Sequence, residues 1–151
     1  MDEYREKPIL LVEAQERERV ARAVRAWLEG CPVKPVETLD AEYLGLGQQL
    51  SLSTVQAAHK TQQYVLGGYQ AAYRFALRFR TYAATTGERL AADEALNTTA
   101  AWAEDRANYP DLGEGLRVRK VLADETARLT ERYEDGTEDH QITITITYER
   151  N

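Results

Sequence analysis

Alternation with period 2 dominates residues 64–82, YVLGGYQAAYRFALRFRTY. Successive side chains of an extended chain point to opposite faces. Tyr69, Ala71, Tyr73, Phe75, Leu77 and Phe79 therefore face one way, and Gln70, Ala72, Arg74, Ala76, Arg78 and Arg80 the other. That predicts a long strand with an aromatic core face and an arginine-studded reverse face. Residues 141–149, QITITITYE, repeat the design, with Ile142, Ile144, Ile146 and Tyr148 inward and threonines outward. Two such strands make a sheet larger than one small core requires, so the pattern points to assembly rather than to a buried active site.

Around these strands the rest of the chain falls into place. From about 8 to 30 the pattern is helical: Pro8 suits a first turn, and Val20, Val24, Trp27, Leu28 and Cys31 form one stripe. Gly30 and Pro32 end that helix, and residues 32–49, with Pro35, Gly45 and Gly47, read as a connecting loop. Short strands are predicted at 50–55 and 59–66, with Gly67-Gly68 as a two-residue hairpin into the long strand 69–82. A second helix is predicted over 87–107, its face supplied by Leu90, Ala91, Ala95, Thr98, Thr99, Trp102 and Ala103, with a break near Asn97. Strands follow from 116 to 149, and residues 134–139 form the turn before the last. This order predicts an α+β fold, a mainly antiparallel twisted sheet of about five to six strands with two helices packed on one face.

The 151 residues suit one domain. A net charge of −6 argues against a nucleic-acid binder, which carries a dominant basic patch. Cys31 is the only cysteine, so no intrachain disulfide forms and a reducing compartment is expected. The apolar run at 9–12 is too short for a signal core or membrane span, so a cytoplasmic protein without a membrane partner is expected.

No residue pattern carries catalytic chemistry, and no enzyme activity or cofactor is expected. His59 and His140 sit in no zinc-type spacing and read as ordinary polar strand residues. Glu134, Asp135, Glu138 and Asp139 crowd one turn, a composition that attracts hard cations but without the spacing of a calcium loop, so no metal site is expected. The arginine row Arg74, Arg78 and Arg80, with Arg117 and Arg119 beside it, has two readings: cross-strand pairs on a solvated face, or a patch that docks an acidic partner or a neighbouring subunit. Trp27 and Trp102 read as core anchors of their helices.

Several strings carry a resemblance: AWLEGCP from Ala26, LSLSTV from Leu50, YVLGGY from Tyr64, YRFALRFR from Tyr73, WAE from Trp102, and DGTEDHQITITITYE from Asp135. In this order they resemble small morphogenesis proteins of tailed bacteriophages, labelled minor capsid proteins and similar to tail terminators (tail completion or head–tail joining proteins). The resemblance implies a subunit that forms a hexameric ring at the head-proximal end of the tail tube. There it ends tube polymerisation and meets the head connector. Its implied partners are further copies of itself, the tail tube protein and the connector protein, with DNA only passing through the pore. Its implied location is the virion tail or neck, after assembly in the bacterial host cytoplasm. The surface expected to serve assembly comprises Arg74, Arg78, Arg80, Arg117 and Arg119 and the strand carrying Ile142, Ile144, Ile146 and Tyr148. The rival readings are a head-completion or portal adaptor protein of the neck and a cytoplasmic binding module unrelated to phage.

Overall fold

The computed structural model describes residues 9–36, 39–40 and 48–151. Among these, seven strands form one sheet: β1 (Leu10–Leu11), β2 (Leu39–Asp40), β3 (Gln49–Gln63), β4 (Tyr69–Tyr82), β5 (Leu116–Ala123), β6 (Arg128–Arg132) and β7 (Thr137–Arg150). The path runs β1-β3-β4-β7-β5, with β2 also paired to β3 and β6 also paired to β7. Every pairing is antiparallel except the short parallel contact of β2 with β3. Helices α1 (Ala14–Glu29) and α2 (Thr86–Glu104) lie on one face, which is the predicted α+β arrangement.

The core follows from the alternation. Tyr73, Phe75 and Leu77 stand directly opposite Ile146, Ile144 and Ile142, and all six are buried under the helices. Val20, Val24 and Leu28 close this core from α1, and Leu96, Ala100 and Ala103 from α2. Trp27 and Trp102 stack with ring centroids 5.4 Å apart. The Trp27 indole N–H also donates to the carbonyl of Asn108 at 2.6 Å, so the pair ties the two helices together.

Several boundaries differ from the expectation, each for a local reason. Helix α1 begins at Ala14, and Pro8 lies outside the described residues. Residues 9–12 are extended instead: Leu10 pairs with Lys60, and the Val12 amide donates to the Ala58 carbonyl at 3.2 Å. The expected loop 32–49 contains β2, and its residues 37–38 and 41–47 lie outside the described residues.

The two strands expected at 50–55 and 59–66 are one bulged strand, β3. Its register against β4 slips between Thr54 and Gln56, between Gln56 and His59, and between Lys60 and Gln62. Each bulge inserts one residue and reverses the inside–outside alternation, which is why the pattern breaks at 55–58. The hairpin that follows has a three-residue loop, Val65, Leu66 and Gly67, closed by the Tyr64 amide on the Gly68 carbonyl at 3.1 Å. Gly67 at φ +95° supplies the left-handed residue that this loop type requires.

Helix α2 runs unbroken through Asn97, whose side-chain oxygen accepts from the Ala127 amide at 2.8 Å. Its buried stripe is Ala92, Leu96, Thr99, Ala100 and Ala103, while Leu90, Ala91 and Thr98 are exposed. The stripe is thus rotated from the expected one, because a helix this rich in alanine has several weak faces and the sheet selects the one centred on Leu96. Thr85 caps its start by accepting from the Glu88 amide, Glu88 accepts in turn from the Ala84 amide, and a short 3-10 turn, Arg106–Asn108, replaces its expected last turn.

Candidate functional site

The face of the sheet opposite the helices is polar and is built around β4 and β7. Arg74, Ala76, Arg78 and Arg80 stand opposite Thr145, Thr143, Gln141 and Asp139. Arg80 makes a bidentate pair with Asp139 at 2.8 and 3.1 Å and lies over the ring of Tyr133, whose hydroxyl donates to Asp139 at 2.7 Å. That hydrogen bond, with some burial, raises the Tyr133 hydroxyl above its ordinary pKa. Arg74 pairs with Asp124 at 2.6 Å, and Asp124 also accepts from Thr145. Arg119 reaches Glu149 at 3.4 Å. Among the described residues, Arg78 donates only to the neutral Gln141, and Arg117 is exposed with no ion pair. The arginine row is therefore real, and partly neutralised by cross-strand acids.

Ile142, Ile144, Ile146 and Tyr148 face the helices and are at most 1% exposed. This corrects their assignment to a contact surface: their side chains fill this chain's own core, and of the outward threonines of β7 the half-buried Thr145 and Thr147 are what a neighbour can touch, Thr143 being buried.

Two polar hubs pin the helices to opposite ends of the sheet. At one end Glu16, in the first turn of α1, is buried. Its carboxylate accepts from the Tyr69 hydroxyl at 2.6 Å, the Tyr148 hydroxyl at 2.8 Å and Arg150 at 2.5 Å. Burial first, and then donation to Glu16, push both tyrosine hydroxyls far above their ordinary range. At the other end His140 is fully buried, with Nδ1 2.6 Å from Asp93 of α2 and Nε2 3.2 Å from Glu138. Glu138 also accepts from Arg89 at 2.6 Å and pairs with Arg132 at 3.2 Å. Burial alone would raise the Glu138 carboxyl, but the hydrogen bonds from Arg89 and His140 and the arginine charges hold it below its usual range.

His140 is thus a buried bridge between sheet and helix, not the ordinary strand residue expected. His59 is half-buried, its Nδ1 2.9 Å from the Ala57 carbonyl. The acidic turn is also dispersed. Asp135 takes the Thr137 amide and hydroxyl, Glu138 points to the helix face and Asp139 to the outer face. Among the described residues no group of three or more His, Cys, Asp or Glu is placed to hold a metal ion.

The remaining accessible feature is apolar. Val65 and Leu66 at the hairpin tip are both 100% exposed. Tight loops favour small polar residues, so two aliphatic side chains here are costly to leave in water unless a partner covers them. The strand β1 is likewise exposed and uncharged, whereas β6 at the opposite edge is exposed and carries Arg128, Glu131 and Arg132. Charged edges resist further pairing and uncharged ones invite it. Sequence reasoning missed the polar hubs and the tip because period-2 reading assigns a face, not a partner.

No family model matches the chain, and no curated protein matches it. Among solved structures, a chain from the virion of a native gene transfer agent particle has the same fold. The match has a TM-score of 0.62 at 19% sequence identity and covers 86% of this chain and 97% of that one.

Proposed function

We propose that this chain is a structural component of a phage-like virion, acting as a tail terminator that forms a ring on the head-proximal end of the tail tube. The observation that carries the reading is the shared fold with a chain of a gene transfer agent virion, along nearly that chain's full length. The resemblance of the strings around Trp27, Tyr73 and Ile142 to tail terminators supports a role at the tail end.

The physics of the surface supports assembly. A rigid sheet with one apolar edge, β1, and one charged edge, β6, is asymmetric across its width. Such asymmetry suits heterologous, head-to-tail contacts, which close into a ring when the rotation permits. The Val65–Leu66 tip adds an exposed apolar anchor, and the outer face adds Arg78 and Arg117 for an acidic neighbour. No catalytic role is part of this reading.

Negative-stain electron microscopy of the purified protein mixed with tail tubes tests it. A ring or cap at one tube end is the expected result. Protein found on heads and absent from tubes would transfer it to the adaptor class of the neck, and binding to neither would remove the virion reading.

A further inference from the structure

A cavity of about 290 Å³ opens beside α2, against the turn between β6 and β7. Its ionised lining consists of Arg89, Arg132 and the buried Glu138, with the rings of Tyr82 and Tyr133 alongside. We propose that this cavity is a binding site for a carboxylate side chain presented by an acidic segment of a partner protein. The proposal stands apart from any place of the chain in a virion.

The arrangement of the two arginines carries it. Both use Nε on the same oxygen of Glu138, at 2.6 and 3.2 Å. Their Nη amino groups make no hydrogen bond to any described residue. Two guanidinium groups sharing one carboxylate leave a positive charge uncompensated in the cavity wall, and a guanidinium fork matches the geometry of a carboxylate. Glu138 is 2% exposed and is itself held by His140, so the Arg89 fork that is hydrogen-bonded to it is set in place before a ligand arrives, and Arg132 adds its charge from the more exposed side. Preorganisation of this kind lowers the entropy lost on binding. The arginine side chains remain 32% and 57% exposed, so the site is open to solvent.

The tyrosines define what enters. Tyr82 is 63% exposed and Tyr133 39% exposed. Gly136 has φ +90°, and a Cβ there would lie 2.4 Å from the Tyr82 ring, so the turn packs tightly on that ring and fixes it. Aromatic walls around a charged floor favour a carboxylate on a short aliphatic stem. An extended polyanion fits poorly, because Glu134 and Asp135 lie in the adjoining turn and repel the further phosphates of a chain running past the cavity.

NMR titration of the whole chain tests the site with three probes: a blocked tripeptide Ala-Glu-Ala, its Ala-Gln-Ala counterpart, and inorganic phosphate at matched ionic strength. Saturable shifts of the Arg89 and Arg132 Nε–H and of the Tyr82 and Tyr133 ring signals are expected with the glutamate peptide alone. Arg132→Gln, on a fully exposed strand, should keep the fold and weaken that binding about tenfold or more. Tyr82→Ala, which leaves the Glu138 pairs intact, should weaken it as well. Equal shifts with the glutamine peptide, no shift with the glutamate peptide, or phosphate shifts matching the peptide's would each overturn the assignment. Retention of full peptide affinity in both variants would overturn it too.

Discussion

Glu16 shows how much one buried carboxylate can decide. It takes two tyrosine hydroxyls and a guanidinium, and so fastens the first turn of α1 to β4 and β7 at once. Glu16→Ala strands three donors and should lower the unfolding free energy by about 3 kcal/mol in urea titrations. Arg22→Ala, which removes an exposed pair with Glu18, should cost about 0.5 kcal/mol or less. The same hubs set the pH profile. Glu138 has a depressed folded pKa, so its contribution is complete above the unfolded carboxyl range. That contribution is lost as pH falls below about 4. Tyr69 and Tyr148 have raised folded values, so their contribution is complete below about pH 10 and is lost as pH rises beyond it. Thermal melts across pH should show a plateau with both flanks, and Glu138→Gln should flatten the acid one.

At the scale of elements, the β3–β4 hairpin is where local conformation and tertiary contact can be separated. Gly67 and Gly68 both have positive φ, but a Cβ on Gly67 meets nothing, whereas one on Gly68 would lie 2.4 Å from the Arg150 carbonyl. Gly67→Ala should therefore cost about 1 kcal/mol, the conformational penalty alone. Gly68→Ala must also displace the end of β7 and should cost at least twice as much, as read from denaturant midpoints. Both glycines were legible as a turn from sequence. Their unequal roles were not, because the carbonyl that Gly68 approaches is more than 80 residues away in the chain. The bulges of β3 were illegible for a related reason: an inserted residue breaks periodicity in the same way as a loop does. For α2, the sequence pointed to a helix but not to its buried face, since alanine commits weakly to burial and Leu90 carries no sign that it will project into solvent.

For the whole molecule, one helix-covered face and one open face divide stability from assembly. Substitutions at exposed, unpaired positions of the open face and at the tip should leave melting unchanged while altering association. Arg78→Glu should spare folding and block ring formation or tail joining, and Val65→Asp with Leu66→Asp should do the same. Circular dichroism melts beside analytical ultracentrifugation and tube-binding micrographs check both. Normal assembly by either variant removes that feature from the contact surface. Ile144→Asp, in contrast, should abolish folding, because it places an unpaired charge at a fully buried site in the centre of the core.

Sequence alone determined the two long strands, which side of each is apolar, the existence of both helices and hence the α+β class. Those properties are written in periodicity, and periodicity is a property of neighbours along the chain. Only the tertiary structure decided that β7 pairs with β4, β5 and β6, that His140 bridges Asp93 and Glu138, and that Arg89 and Arg132 meet over one carboxylate. It also decided that Arg74 and Arg80 are largely spent on pairs across strands. Each of these depends on which distant residue arrives opposite, and pairing register and helix docking set that through contacts that no local pattern encodes.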